Sequence, residues 1–139
     1  MRFMMMVKSA ENSGPPPQAP MDAMTKLVEA EAKTGRMLDS GGLAPTAQST
    51  RVRLSKGQIN VIDGPFTEAK EVIGGYAKFE FNSKQEAIDS AVFFIELHKK
   101  HWPGWEGKAR SGRSSGRKTS NLTVPRVRNE PGIPKLILH

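Results

Sequence analysis

The sequence predicts an α+β fold, with two helices on one face of a mostly antiparallel sheet. Three observations predict it: two stretches of helical apolar periodicity, several short runs with strand-like alternation, and their order. That order is strand, helix, strand, hairpin, strand, helix.

Arg2 to Lys8 reads as the first strand. Phe3, Met5 and Val7 fall on one face and Arg2, Met4, Met6 and Lys8 on the other. Apolar residues on both faces suit a central strand. Ser9 to Pro20 contains Asn12-Ser13-Gly14-Pro15-Pro16-Pro17 and reads as a loop. Met21 to Thr34 reads as a helix, with Pro20 near its first turn and Gly35 as its stop. Arg36 to Leu43 reads as a second strand. Thr50 to Leu54 and Gln58 to Ile62 form a hairpin that turns at Lys56-Gly57.

Ile73 to Phe81 is the clearest strand. Ala77, Phe79 and Phe81 face one way, and Tyr76, Lys78 and Glu80 the other. Ser83 to Leu97 is the clearest helix, opened by a Ser83/Glu86 capping box. Its expected core stripe is Ile88, Ala91, Val92 and Ile95. A ferredoxin-like, split βαβ unit needs one more strand after this helix. The residues there, Gly107-Lys108-Ala109-Arg110-Ser111-Gly112-Arg113, lack any β-branched side chain. On composition they are a poor strand, so the expectation is a missing final strand and an open sheet edge. Asn121 to Arg128 is the best replacement in the sequence, and exchange between subunits is another.

The chain has 139 residues, which suits one domain, and a net charge of +7. Met1 to Gly107 holds 13 Lys+Arg and 13 Asp+Glu, whereas 108–139 holds 8 Lys+Arg and only Glu130. The excess charge belongs to a basic tail that is expected to be solvated. Nucleic-acid binding is suspected only weakly, through that tail. With no cysteine, disulfides, thiolate catalysis and zinc–sulfur sites are excluded. No apolar run approaches a membrane span, and the opening apolar stretch is too short for a signal-peptide core. The expectation is a cytoplasmic protein without a membrane partner.

Val61-Ile62-Asp63-Gly64-Pro65-Phe66-Thr67-Glu68-Ala69-Lys70-Glu71 resembles the DGPF branch of the YCII-related proteins. The opening Arg2 to Lys8, Gly41-Gly42-Leu43, Val72-Ile73-Gly74-Gly75-Tyr76 and His101-Trp102-Pro103-Gly104-Trp105-Glu106-Gly107 share in the resemblance, which covers about residues 1–107. It implies a ferredoxin-like fold that dimerises into an α/β barrel, in bacterial cytoplasmic proteins of undefined biochemistry. Some members resemble small isomerases or lyases of the same fold, and some are associated with extracytoplasmic-function sigma factors. Members usually end in a strand of the type Gly-Glu-Ile-Glu-Ile-Arg-Pro, followed by Phe and an acidic tail; this chain departs there. With one choice of codons, Lys108 to Ser120 read two bases later gives Gly-Glu-Ile-Arg-Pro-Val-Phe-Gly-Pro-Glu-Asp-Phe. Residues 108–139 are therefore read as an atypical tail that arises from a shifted frame.

Asp63 is the leading candidate for chemistry, because a carboxylate at a strand end can face a cleft as a base. Its structural alternative is to cap the Gly64-Pro65 turn. His98 and His101 are three residues apart at a helix end, and beside Asp63 they would complete an acid–base pair. Their alternative is to stabilise the helix C-terminus. Two histidines do not define a metal site. The resemblance implies a His–Asp pair in the wider family, yet no histidine precedes His98. Glu68 and Lys70 would line a cleft mouth or form ion pairs within a turn. Arg51 and Arg53 would bind an anion or blunt a strand edge. Trp102 and Trp105 would wall a pocket or pack in the core.

There is no phosphate loop, nucleophile elbow or dinucleotide fingerprint, and no cofactor is expected. The first functional reading is a homodimer that holds a small polar ligand in a barrel cleft, with cofactor-free acid–base chemistry of isomerase or lyase type. The second is a non-enzymatic ligand-sensing or partner-binding module linked to sigma-factor regulation.

Overall fold

The computed structural model describes residues 1–11 and 14–115. In chain order the elements are β1 (Arg2–Ser9), α1 (Gln18–Thr34), β2 (Met37–Gly42), a 3-10 turn (Thr46–Gln48), β3 (Thr50–Ser55), β4 (Gln58–Asp63), β5 (Val72–Glu80), α2 (Lys84–His101) and β6 (Gly107–Arg113). The main sheet has the order β2-β5-β1-β6, with every neighbouring pair antiparallel. β1 therefore runs parallel to β2, and β5 to β6, with one strand between the members of each pair. That is the ferredoxin-like α+β arrangement. The β3–β4 hairpin is inserted between β2 and β5 as a separate two-stranded sheet.

The alternation read from the sequence sets the core. Phe3, Met5, Phe79, Phe81 and Ala87 are buried together, with Met37, Ala77, Ala91 and Ala109 packed against them. Phe79 and Phe81 stack at 5.0 Å between centroids, and Phe3 tilts onto Phe81 at 6.0 Å. Both helices lie on this face, α2 through Ala87 and Ala91, and α1 beside α2 and β2.

The inward stripe of α2 is Ala87, Ala91, Phe94 and His98, while Ile88 and Val92 are exposed. Of the expected stripe, Ala91 packs on the core and Ile95 is half-buried. The small side chains of Ala87 and Ala91 let the helix lie close over the phenylalanines, which turns the bulkier Ile88 and Val92 outward. The α2 cap forms: Ser83 Oγ accepts from the Glu86 amide at 3.2 Å. Glu86 returns its carboxylate to the Asn82 amide at 2.9 Å, one residue earlier than in the standard capping box.

The final strand is present. β6 pairs with β1 from Phe3 opposite Arg113 to Ser9 opposite Gly107. The sequence expectation of a missing strand is corrected here. β1 is a central strand whose second row of backbone donors and acceptors needs partners, and that demand outweighs the weak strand propensity of Gly107–Arg113. The cost of that composition shows inside: Ser111, opposite Met5 on the core face, has a buried hydroxyl without a partner among the described residues. The proposed replacement strand at Asn121 to Arg128 lies outside the described residues.

Candidate functional site

The helices cover one face of the main sheet, and the register lays out the other. One row across the strands is Gly41, Tyr76, Met6 and Arg110. The next is Asp39, Lys78, Met4 and Gly112. Directly opposite residues share a face, with Cβ atoms about 5 Å apart. Met4 and Met6 therefore form a thioether floor, with polar groups along β2 and β5 and Arg110 on the other flank. Gly41 and Gly112 carry no side chain, so each leaves a depression in its row. At Gly41 the space is taken up: a Cβ there would lie 3.1 Å from the Tyr76 ring.

Asp39 reaches this face through a β-bulge. Met37 pairs with Phe79 but Asp39 pairs with Lys78, so Leu38 is the extra residue. Without the bulge, simple alternation would put Asp39 on the side of Met37. The Tyr76 hydroxyl donates to Asp39 Oδ2 at 3.1 Å, and Lys78 Nζ lies 3.8 Å from the same oxygen. The hydrogen bond to Asp39 and its negative charge push the Tyr76 hydroxyl pKa up. Among the described residues Arg110 has no carboxylate within ion-pair distance.

The perimeter of the face is neutralised. Glu80 receives the N-terminal ammonium and Arg2, each at 3.3 Å. Desolvation raises its pKa, but those two cations together bring the net shift below the ordinary carboxylate range. Glu71 is bound by Lys108 at 2.6 Å, and that hydrogen bond holds its pKa low.

The DGPF segment builds a junction. A Cβ on Gly64 would lie 1.6 Å from the Thr46 carbonyl oxygen, so only glycine fits. The Gly64 amide donates to the Ser49 carbonyl at 2.8 Å, and the Phe66 amide donates to Thr46 Oγ1 at 3.1 Å. Glu11 receives both the amide and the hydroxyl of Thr46 at 2.5 Å, which ties the β1–α1 loop to the 3-10 turn.

Of the seven residues singled out from the sequence, Asp63, His98 and His101 occupy separate surroundings. Asp63, at the hairpin base, accepts from Thr50 Oγ1 at 2.9 Å. His98 is buried between Phe94 and Trp105, with ring centroids 4.5 and 4.4 Å away, and its Nδ1 lies 3.0 Å from the Phe94 carbonyl. His101 lines the groove between α1 and α2 beside Phe93 and Leu97. The hydrogen bonds and ring contacts of these three are all with other residues. Arg51 and Glu68 do meet, as an ion pair, with the Arg51 guanidinium 4.0 Å above the Phe66 ring. A backbone hydrogen bond and then Arg51 hold the Glu68 pKa low, with Arg53 adding to the field. Lys70 is exposed at the end of the motif. No cluster of three metal-ligating side chains occurs among the described residues.

Sequence reasoning missed Asp39 and Arg110 and gave Tyr76 and Lys78 no role. The signal for the latter two lay in the alternation of β5, since they share the face opposite Phe79. The bulge that delivers Asp39 leaves no mark in the sequence.

The fold and the polar row define a ferredoxin-like α+β domain with one sheet face left uncovered by its own helices. The YCII-related domain model matches residues 1–92, and the chain belongs to that family. The match takes in Met4, Met6, Asp39, Tyr76 and Lys78, and stops before His98 and β6. The chain is also similar to an uncharacterized protein of Rhizobium meliloti (strain 1021), 38% identical over 66 residues. That alignment spans 48% of this chain and 50% of the relative. No helix among the described residues is long and apolar enough to cross a membrane.

Proposed function

We propose that the protein binds a small polar ligand on the uncovered sheet face, and that two copies close face to face over it as a barrel. The observation that carries this reading is the Asp39–Tyr76–Lys78 row facing Arg110 across the Met4 and Met6 floor. A half-exposed floor of two thioethers flanked by oriented polar groups is the usual make-up of a small-molecule site. The open guanidinium selects a ligand with a carboxylate or similar anionic end. Asp39, with the Tyr76 hydroxyl beside it, is a base and donor pair suited to cofactor-free proton transfer. The binding step comes first and holds even if no turnover follows.

The test uses protein labelled at the methionine methyls and a panel of small mono- and dicarboxylates. Binding at the site shifts the Met4 and Met6 methyl resonances, and Arg110→Gln and Tyr76→Phe weaken it. If no carboxylate in the panel moves these two methyls, or if both variants bind like the parent, the site lies elsewhere.

A further inference from the structure

β6 is an edge strand: in the order β2-β5-β1-β6 it pairs with β1 alone among the described residues. The ladder fixes which of its groups face outward. The Ser114 amide donates to the Arg2 carbonyl at 2.8 Å, so the even-numbered residues of β6 direct their backbone groups to β1. The amides and carbonyls of Ala109, Ser111 and Arg113 point the other way, along the open edge. α2 walls this edge on the core side. Phe93, Leu97 and His101 turn toward α1, so the flank that runs past β6 is the opposite one, Ile88, Val92, Ile95 and Lys99. On it Ile88 and Val92 are 41% and 51% exposed. Ile95 and Lys99 meet Trp102, Trp105 and Gly107 around a cleft of about 330 Å³ at the start of β6.

A strand edge beside an apolar helix flank is a setting in which an extended peptide adds a strand. Backbone hydrogen bonds hold such a peptide, and its alternate side chains enter the groove. We infer that β6 takes an extended acidic segment of another protein, apolar at every second residue. Register assigns the two sets of side chains. Residues opposite Ala109 and Ser111 fall on the core side, against Ile88, Val92 and Ile95, so these are the apolar ones. Residues opposite Lys108 and Arg110 fall on the other face, and there the acids belong. Charge selects this occupant over two others. Residues 107–113 hold Lys108, Arg110 and Arg113 and no acid, and of the three only Lys108 has an ion pair among the described residues. A second copy of β6 would set these cations against themselves. The chain's own residues 116–139 carry five Lys+Arg and only Glu130, the wrong sign for this edge. Like charges across a ladder disfavour both, whereas an acidic strand turns the same cations into cross-strand pairs.

The test is the fluorescence anisotropy of a labelled, acetylated heptapeptide of alternating valine and glutamate, titrated with the full chain. The expected result is saturable binding that weakens as salt is added, with the lysine counterpart bound at least about tenfold more weakly. Val92→Asp on α2 and Arg110→Glu on β6 should each raise the dissociation constant at least about fivefold, by placing a like charge beside the peptide. Both positions are exposed, so the fold should survive, and circular dichroism checks that it does. Hydrogen exchange then locates the peptide. The amides of Ala109, Ser111 and Arg113 should gain protection, while those of Lys108 and Arg110, already turned to β1, should not change. Three results would each overturn the inference: no binding of the glutamate peptide, equal binding of the lysine peptide, or protection that falls on strands other than β6.

Discussion

The Tyr76 hydroxyl and the Asp39 carboxylate are joined at 3.1 Å across β5 and β2 on the sheet face that the helices leave bare. Each depends on a backbone feature of β2. The Leu38 bulge turns Asp39 to this face, and Gly41 leaves room for the tyrosine ring. Tyr76 is the only tyrosine in the chain, so its ionisation can be read directly from tyrosinate absorbance. The hydrogen bond to Asp39 raises its pKa above the ordinary 10.0. The neutral form is thus favoured by the fold. The stability this contributes is complete below pH 10.0 and is lost as pH rises through the higher folded value. Asp39→Asn removes the charge and should move the absorbance midpoint down toward 10.0. A midpoint that stays put in the variant would sever Tyr76 from Asp39.

Gly64 is the tightest backbone contact in the DGPF junction, with the Thr46 carbonyl where a Cβ would stand. Gly64→Ala should therefore destabilise the protein by about 3 kcal/mol or more, since backbone rather than a flexible side chain has to yield. Gly41→Ala meets only the edge of the Tyr76 ring at 3.1 Å and should cost less. Urea unfolding of both variants checks the order, and a Gly64→Ala protein as stable as the parent would mean that the junction gives way easily.

Most of the layer was legible because it rests on simple periods. Alternation in β1 and β5 placed Phe3, Met5, Ala77, Phe79 and Phe81 on the core face, and the turn at Lys56-Gly57 fixed the hairpin, where both residues adopt positive φ. The α2 stripe was half right: Ala91 and Ile95 turn inward, but Ile88 and Val92 are exposed and Ala87 takes the core position, because Ala87 and Ala91 carry the fit. β6 was missed for a different reason. Its strand state comes from the open edge of β1, a tertiary demand that residues 107–113 do not announce. The polar row was half legible: Tyr76 and Lys78 follow from alternation, whereas Asp39 depends on an irregularity in register. Asp63 drew attention as a carboxylate at a strand end, but that position also puts it in reach of the Thr50 hydroxyl across the hairpin.

The core-facing positions of β6 carry only small side chains. Ala109 and Ser111 stand where a strand of the Gly-Glu-Ile-Glu-Ile type would place isoleucines, and the Ser111 hydroxyl is buried without a partner among the described residues. Ser111→Val removes the unsatisfied group, adds apolar volume beside Met5 and raises strand propensity. It should stabilise the protein by about 1–2 kcal/mol. Thermal unfolding measures the change, and a lower midpoint would show that the hydroxyl is satisfied or the space already full.

His98 and His101 separate cleanly once placed in the fold. His98 occupies an inward position of α2, 8% exposed, with Phe94 and Trp105 against its ring and the Phe94 carbonyl at Nδ1. Trp105 in turn lies across Gly107, where a Cβ would come 2.2 Å from the indole, so this cluster joins α2 to the start of β6. His98→Ala opens a cavity at that joint and should cost about 2–4 kcal/mol. It should also shift the tryptophan emission, because Trp105 loses a ring neighbour. His101 sits on the rim of the α1–α2 groove, and His101→Ala should change stability by less than about 0.5 kcal/mol and leave emission unaltered. Denaturant unfolding followed by fluorescence separates the two. Equal effects from both variants would mean that the Trp105 cluster does not hold β6 to the helix.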